Sequence, residues 1–175
     1  VSKAELEEAL KHSQRHQGYV APDESSLLQL IRLAQQEGEK VVFTNGCFDL
    51  LHSGHVRYLN EAASLGDRLV VAVNSDESVR QLKGPTRPIV PLESRMELLS
   101  ALSCVDWVIA FSEETPERLI CTLAPDVLVK GGDYQPKDIA GAECVWQNGG
   151  EVKVLSFWQG YSTTSMVEKI HHENG

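Results

Sequence analysis

Short apolar runs alternate with amphipathic or polar stretches along most of this chain. KVVFTN, RLVVAVNS, WVIAF, VLVKG and EVKVLSF are rich in β-branched residues and mostly apolar on both faces, as strands are when helices cover them on either side. Each is separated from the next by a helical or loop segment, which predicts a doubly wound α/β fold: a Rossmann-like parallel sheet of five strands with helices on both faces. Thr115 before Pro116 predicts a capped helix start, and Gly66 and Gly149 fall where helices should stop. From Ser2 to about Gly38 the pattern is polar and helical, with Leu27, Leu28, Leu30 and Ile31 on one apolar face and a break at HQGYVAPDES. The expected organisation is a helical linker or appendage over 1–38, without catalytic role, and a domain over 39–175.

In such folds ligands settle beyond the carboxyl ends of the strands, near the point where strand order reverses. This selects the loops TNGCFDLLHSGH, NSDESVRQLKGPTRP, FSEETP, KGGDY and WQGYSTTS. The first carries His52 and His55 at the first turn of a helix expected to run through HVRYLNEAASL. Three residues apart, they can face the same way. Free backbone N–H groups and the helix dipole already favour an anion there, and Gly54 keeps a Cβ out of its path. Two imidazole donors added to this arrangement can hold phosphate oxygens and strengthen as charge builds up during displacement. Zinc is the competing reading of HxxH, but no third ligand is evident, so no metal site is assigned. Capping or surface placement is the other.

The charge balance changes the picture of partners. Sixteen Lys and Arg against 25 Asp and Glu give a net charge of −9, which argues against nucleic acid as the main partner but not against a small anion in a locally positive cleft. No apolar run approaches the roughly 18 residues of a membrane span. Cys47, Cys104, Cys121 and Cys144 are scattered without a CxxC pair and read as reduced packing residues of a cytoplasmic protein. VSKAELEEAL lacks the basic and apolar regions of a signal peptide, and a start at Val suggests a piece of something longer.

TNGCFDLLHSGH resembles the HxGH signature of the nucleotidyltransferase superfamily, which includes cytidylyltransferases. LKGPTRPIVP, VDWVIAF, PDVLVKGGDY and GYSTTSMVEKI, in this order, are similar to the adenylyltransferase domains of bacterial bifunctional heptose-phosphate kinase/adenylyltransferases, over about residues 40 to 171. The resemblance implies AMP transfer from ATP, with Mg²⁺ carried on its phosphates, to D-glycero-β-D-manno-heptose 1-phosphate, yielding ADP-heptose for lipopolysaccharide core and pyrophosphate. It also implies a fused sugar kinase domain, of which VSKAELEEAL would be the linker, and self-association as a homo-oligomer. The alternatives are a cytidylyltransferase for a small alcohol phosphate such as glycerol 3-phosphate, and a nucleotide-binding module without turnover. Glycerol-phosphate cytidylyltransferases carry RTEGISTT, whereas this chain has FWQGYSTT, with Phe157 in place of the arginine and Gln159 in place of the acid. That departure weakens the CTP reading.

By the same resemblance His52, His55 and Lys83 are the catalytic candidates, and Thr44, Asn45, Gly46, Cys47, Phe48 and Gly54 belong to the nucleotide-binding turn. Asp49 is expected in an internal structural role beside it. Ser162, Thr163 and Thr164 offer hydroxyls at a helix start, a second phosphate cradle as well as a cap. Lys83 and Arg87 sit in a loop that reads as mobile and basic, able to close on phosphates; for Arg87, as an acceptor-substrate contact, solvated surface charge competes. Arg95 resembles the family's phosphate-binding arginine, against a solvated helix-surface charge. Gly132 and Asp133 fit a nucleotide-contacting loop, against a glycine turn closed by an Asx hydrogen bond. Asp76, a helix cap on the blander reading, is placed near the acceptor by likeness to related cytidylyltransferases.

Overall fold

The computed structural model describes residues 2–5, 18–156 and 163–173. The five expected strands are all present: β2 (Val41–Gly46), β3 (Arg68–Asn74), β4 (Trp107–Phe111), β5 (Val127–Gly131) and β6 (Glu151–Leu155). A sixth, β1 (Tyr19–Val20), corrects the expected number. It adds to the edge through Tyr19↔Trp107 and Val20↔Val108, and two residues are too few to carry an alternation signal. The sheet is parallel throughout, in the order β1-β4-β3-β2-β5-β6.

Alternation along these strands feeds two cores. Phe43, Val70, Ile109 and Leu128 pack beneath α1 (Glu24–Gln36), α5 (Glu117–Leu123) and α6 (Ala142–Gln147). Val42, Val71, Val108, Val127 and Val129 pack beneath α2 (Ser53–Ala63) and α4 (Leu92–Ser100). Between β3 and α4 lies α3 (Asp76–Lys83), and α7 (Thr163–Glu173) closes the described chain. Leu27, Ile31 and Ala34 of α1 are buried in the first core, so the apolar face seen before Gly38 shares its core with the strands beyond residue 39. Arg32 and Gln35 tie the same helix to the end of α5 by donating to the carbonyls of Leu123 and Ala124.

Two local expectations change. Pro116 itself is the N-cap of α5, with no side-chain cap bond, so the Thr115 hydroxyl does not serve as one. Cys121 and Cys144 form a disulfide, with Cα atoms 5.4 Å apart, while Cys47 and Cys104 are free thiols; the reading of four reduced cysteines is corrected. Cys121 lies on α5 and Cys144 on α6, and both helices cover the same sheet face. A separation of 23 residues gives no hint of that meeting, because the fold creates it.

Candidate active site

The sheet opens where its order reverses. Between β2 and β3 the register runs unbroken from Val41↔Arg68 to Gly46↔Val73, but between β2 and β5 it is confined to Val42↔Val127 and Phe43↔Leu128. Beyond Phe43 a side chain replaces the ladder: the Thr44 hydroxyl donates to the Val129 carbonyl at 3.1 Å and lies 2.7 Å from the Tyr58 hydroxyl. Burial pushes the Tyr58 phenol up to about 12, so it stays protonated. Thr44 is fully buried. It therefore forms the floor of the cleft, beneath the turn expected to hold the nucleotide.

Asn45, Gly46, Cys47 and Phe48 form the turn above this floor. Phe48 is buried with φ 50°, the left-handed region that side chains rarely adopt and that clusters at functional turns. Its ring covers Gly46, where a Cβ would come within 2.9 Å of it, and stands 5.5 Å from the His55 ring. Asp49 then accepts from the backbone N–H groups of Ile89 and Val90 and pairs with Arg87 at 2.5 Å. Burial alone would push its carboxyl up, but these backbone donors and the guanidinium outweigh burial and hold it below the usual range.

His52 is the N-cap of α2, and the two histidines form a reciprocal capping box. The Gly54 N–H donates to His52 Nδ1 at 3.1 Å, and the His52 N–H donates to His55 Nδ1 at 3.2 Å. A ring nitrogen that accepts carries no proton, so each neutral imidazole keeps its proton on Nε2, the far side of the ring from the backbone it caps. The rings stack at 3.9 Å. Burial lowers the His52 pKa, and burial with the charges of His52 and Lys83 takes His55 from 6.5 to about 4. The pair at neutral pH is thus two uncharged Nε2–H donors.

This depression has a sign. The folded state binds fewer protons at His55 than the unfolded chain, so the contribution to stability is full above about pH 6.5 and is lost as pH falls toward 4. The unfolding midpoint is expected to drop across that window in the wild type. His55→Asn, which keeps a cap acceptor near the Nδ1 position, should drop less. Parallel thermal melts at pH 7, 5.5 and 4.5 check this, and superimposable declines count against a buried neutral His55.

The opposite wall is organised by Arg95, which is fully buried. Its guanidinium donates to the carbonyls of Cys47, Asn74 and Val90 and pairs with Asp76 at 2.6 Å. Every one of those bonds goes to protein, and the side chain holds the wall from behind. It is not a solvated surface charge. Asp76 spends one carboxylate oxygen on Arg95 and on the Leu92 N–H, yet its side chain is 37% exposed. The loop read as mobile is instead pinned to Asp49, and Arg87 within it is buried. Lys83, at the end of α3, is exposed. Its charge acts on both His55 and Cys47.

Gly132, beyond β5, has φ 116°, a conformation that requires glycine, and it donates to the Leu155 carbonyl. Asp133 and Tyr134 beside it are exposed. Ser162, Phe157 and Gln159 lie outside the described residues; Thr163 and Thr164 open α7. Several charges converge on the turn. Burial pushes the Cys47 thiol up against the pull of Lys83, Arg95 and Arg87, which argues against a thiolate nucleophile, and Lys130 also acts on it. Lys130 was not among the candidates from sequence. A lysine interrupting the apolar run VLVKG was the available signal.

Residues 43–169 match the model of the cytidylyltransferase-like family. The chain belongs to that family. As a cytidylyltransferase-like chain it is a nucleotidyltransferase, and the turn after β2 is where its histidine signature falls. It is 75% identical to the bifunctional protein HldE of Hydrogenovibrio crunogenus and 57% identical to that of Proteus mirabilis. Each match covers 97% of this chain, and 35% and 36% of those proteins. The chain thus spans about a third of the length of these curated relatives. Among solved structures, the lipopolysaccharide core biosynthesis protein of Thermoplasma volcanium is similar, with 34% identity and a TM-score of 0.56 over 71% of this chain and all of that one.

Proposed function

We propose that this chain transfers AMP from ATP to D-glycero-β-D-manno-heptose 1-phosphate, giving ADP-heptose and pyrophosphate. The observation that carries the reading is the pair of neutral Nε2–H donors at the helix start beyond β2. Likeness to two bifunctional HldE proteins supports the acceptor. The sugar phosphate brings its own ionised oxygen, so no covalent intermediate and no strong base are needed. It attacks the α-phosphorus, and the bond to the pyrophosphate oxygen breaks. His52 and His55 donate to oxygens on which charge grows, and Lys83 closes over the departing pyrophosphate. Thr163, Thr164 and Ser162 are the second phosphate cradle, Gly132 and Asp133 bind the nucleoside, and Asp76 with Arg87 borders the acceptor. Arg95 acts by positioning.

Mg²⁺ belongs to the substrate in this reading. The ion would be carried on the triphosphate; among the described residues there is no group of three or more His, Cys, Asp and Glu side chains that could hold a metal ion. Among those same residues no helix is long and apolar enough to cross a membrane, and a cytoplasmic enzyme fused to a sugar kinase domain, self-associating as a homo-oligomer, completes the proposal. Pyrophosphate release from ATP or CTP, each paired with heptose 1-phosphate and with glycerol 3-phosphate, is the test. Release confined to ATP with heptose 1-phosphate is expected; turnover of CTP with glycerol 3-phosphate overturns the reading.

A further inference from the structure

We propose that Lys130 is a phosphate-binding residue of this cleft, a cation on the β5 side that complements the histidines on the β2 side. The inference rests on the nucleotidyl-transfer reading above. Lys130 lies two residues past the point where the register with β2 ends, and it and Cys47, in the turn beyond β2, act on each other electrostatically, which sets it beside the opening between β2 and β5. Its side chain is half-buried, and its ammonium lies 5.4 Å from the centre of the Tyr134 ring. A ring face orients an ammonium without neutralising it.

No carboxylate of the described residues forms an ion pair with Lys130. Burial lowers its pKa, so some of the ammonium's hydration is given up without a counter-charge among the described residues. A protein whose acids outnumber its bases 25 to 16 has many carboxylates with which to pair a structural lysine. An anion arriving in the cleft provides that counter-charge. The chemistry is a phosphate oxygen, from either the nucleotide or the sugar phosphate.

The test compares wild type, Lys130→Met and Lys130→Arg in the pyrophosphate-release assay, varying ATP and heptose 1-phosphate separately. Calorimetric binding of inorganic pyrophosphate runs alongside. Loss of one charge-assisted contact predicts a rise of about 10- to 100-fold in the KM for one substrate in Lys130→Met, with partial recovery in Lys130→Arg. Melting temperature should hardly move, since a half-buried lysine with no ion pair among the described residues contributes little to the fold. A rise in the KM for ATP together with weaker pyrophosphate binding assigns the contact to the nucleotide. A rise confined to the heptose 1-phosphate KM assigns it to the acceptor. Unchanged KM and kcat for both substrates in Lys130→Met overturns the inference while leaving the functional reading intact. A wild type inactive with every substrate pair overturns the functional reading, and unaltered pyrophosphate binding by Lys130→Met then overturns the Lys130 inference as well.

Discussion

Replacing His52 or His55 with asparagine is expected to cut kcat by roughly 10²- to 10³-fold, the usual cost of losing one donor aimed at developing charge. Alanine would confuse two roles, because each Nδ1 also accepts a backbone N–H in the capping box. Asparagine keeps an acceptor near that position and is among the preferred N-caps, but it cannot reach as far as Nε2. The asparagine variants should therefore stay folded at neutral pH and bind ATP within a few-fold of wild type, with the loss in the chemical step. Single-turnover rates at saturating substrate separate the two effects. Wild-type rates in both variants would sink the proposed role of the pair.

The second large effect concerns stability. Asp49→Ala should cost about 3–5 kcal/mol, because it strands the guanidinium of Arg87 away from water. The side chains are 0% and 7% exposed, so solvent screening does little to soften the loss. The backbone N–H groups of Ile89 and Val90 lose their acceptor in the same step. Urea unfolding measures the cost. The double variant Asp49→Ala/Arg87→Met, which removes the buried charge altogether, should recover part of it. A single-variant cost below about 1 kcal/mol would show that the pair does not anchor the loop.

The parts of this molecule written in local patterns were readable from its sequence. Each of the five long strands declares itself by β-branched runs, and α2 by the amphipathic pattern after Gly54, so the sheet and its loops followed directly. The histidine spacing is also local, and it placed both rings on one turn before any tertiary contact was known. What escaped depends on neighbours distant in the chain. Thr44 looks like any polar residue leaving a strand, and only the divergence of β5 makes it a plug. Arg95 sits in a helix with acids two positions to either side, a surface-like setting. Its burial arises because segments at residues 47, 74 and 90 present carbonyls to it. The disulfide is similar, since it required two helices to lie side by side.

Arg95 has a bearing on how this enzyme could be redesigned. A planar donor tied at four points to three separate stretches, at residues 47, 74–76 and 90, fixes their spacing together, and a lysine, with a single point of charge, could not reproduce the fork. Attempts to exchange the acceptor by grafting the segment around residues 84–91 from a relative would have to import a matching carbonyl at position 90, or the graft would detune the turn beside it. The exposed side chain of Asp133 carries no such obligation. Libraries aimed at new sugars or bases are best started there, leaving the arginine and its four attachments untouched.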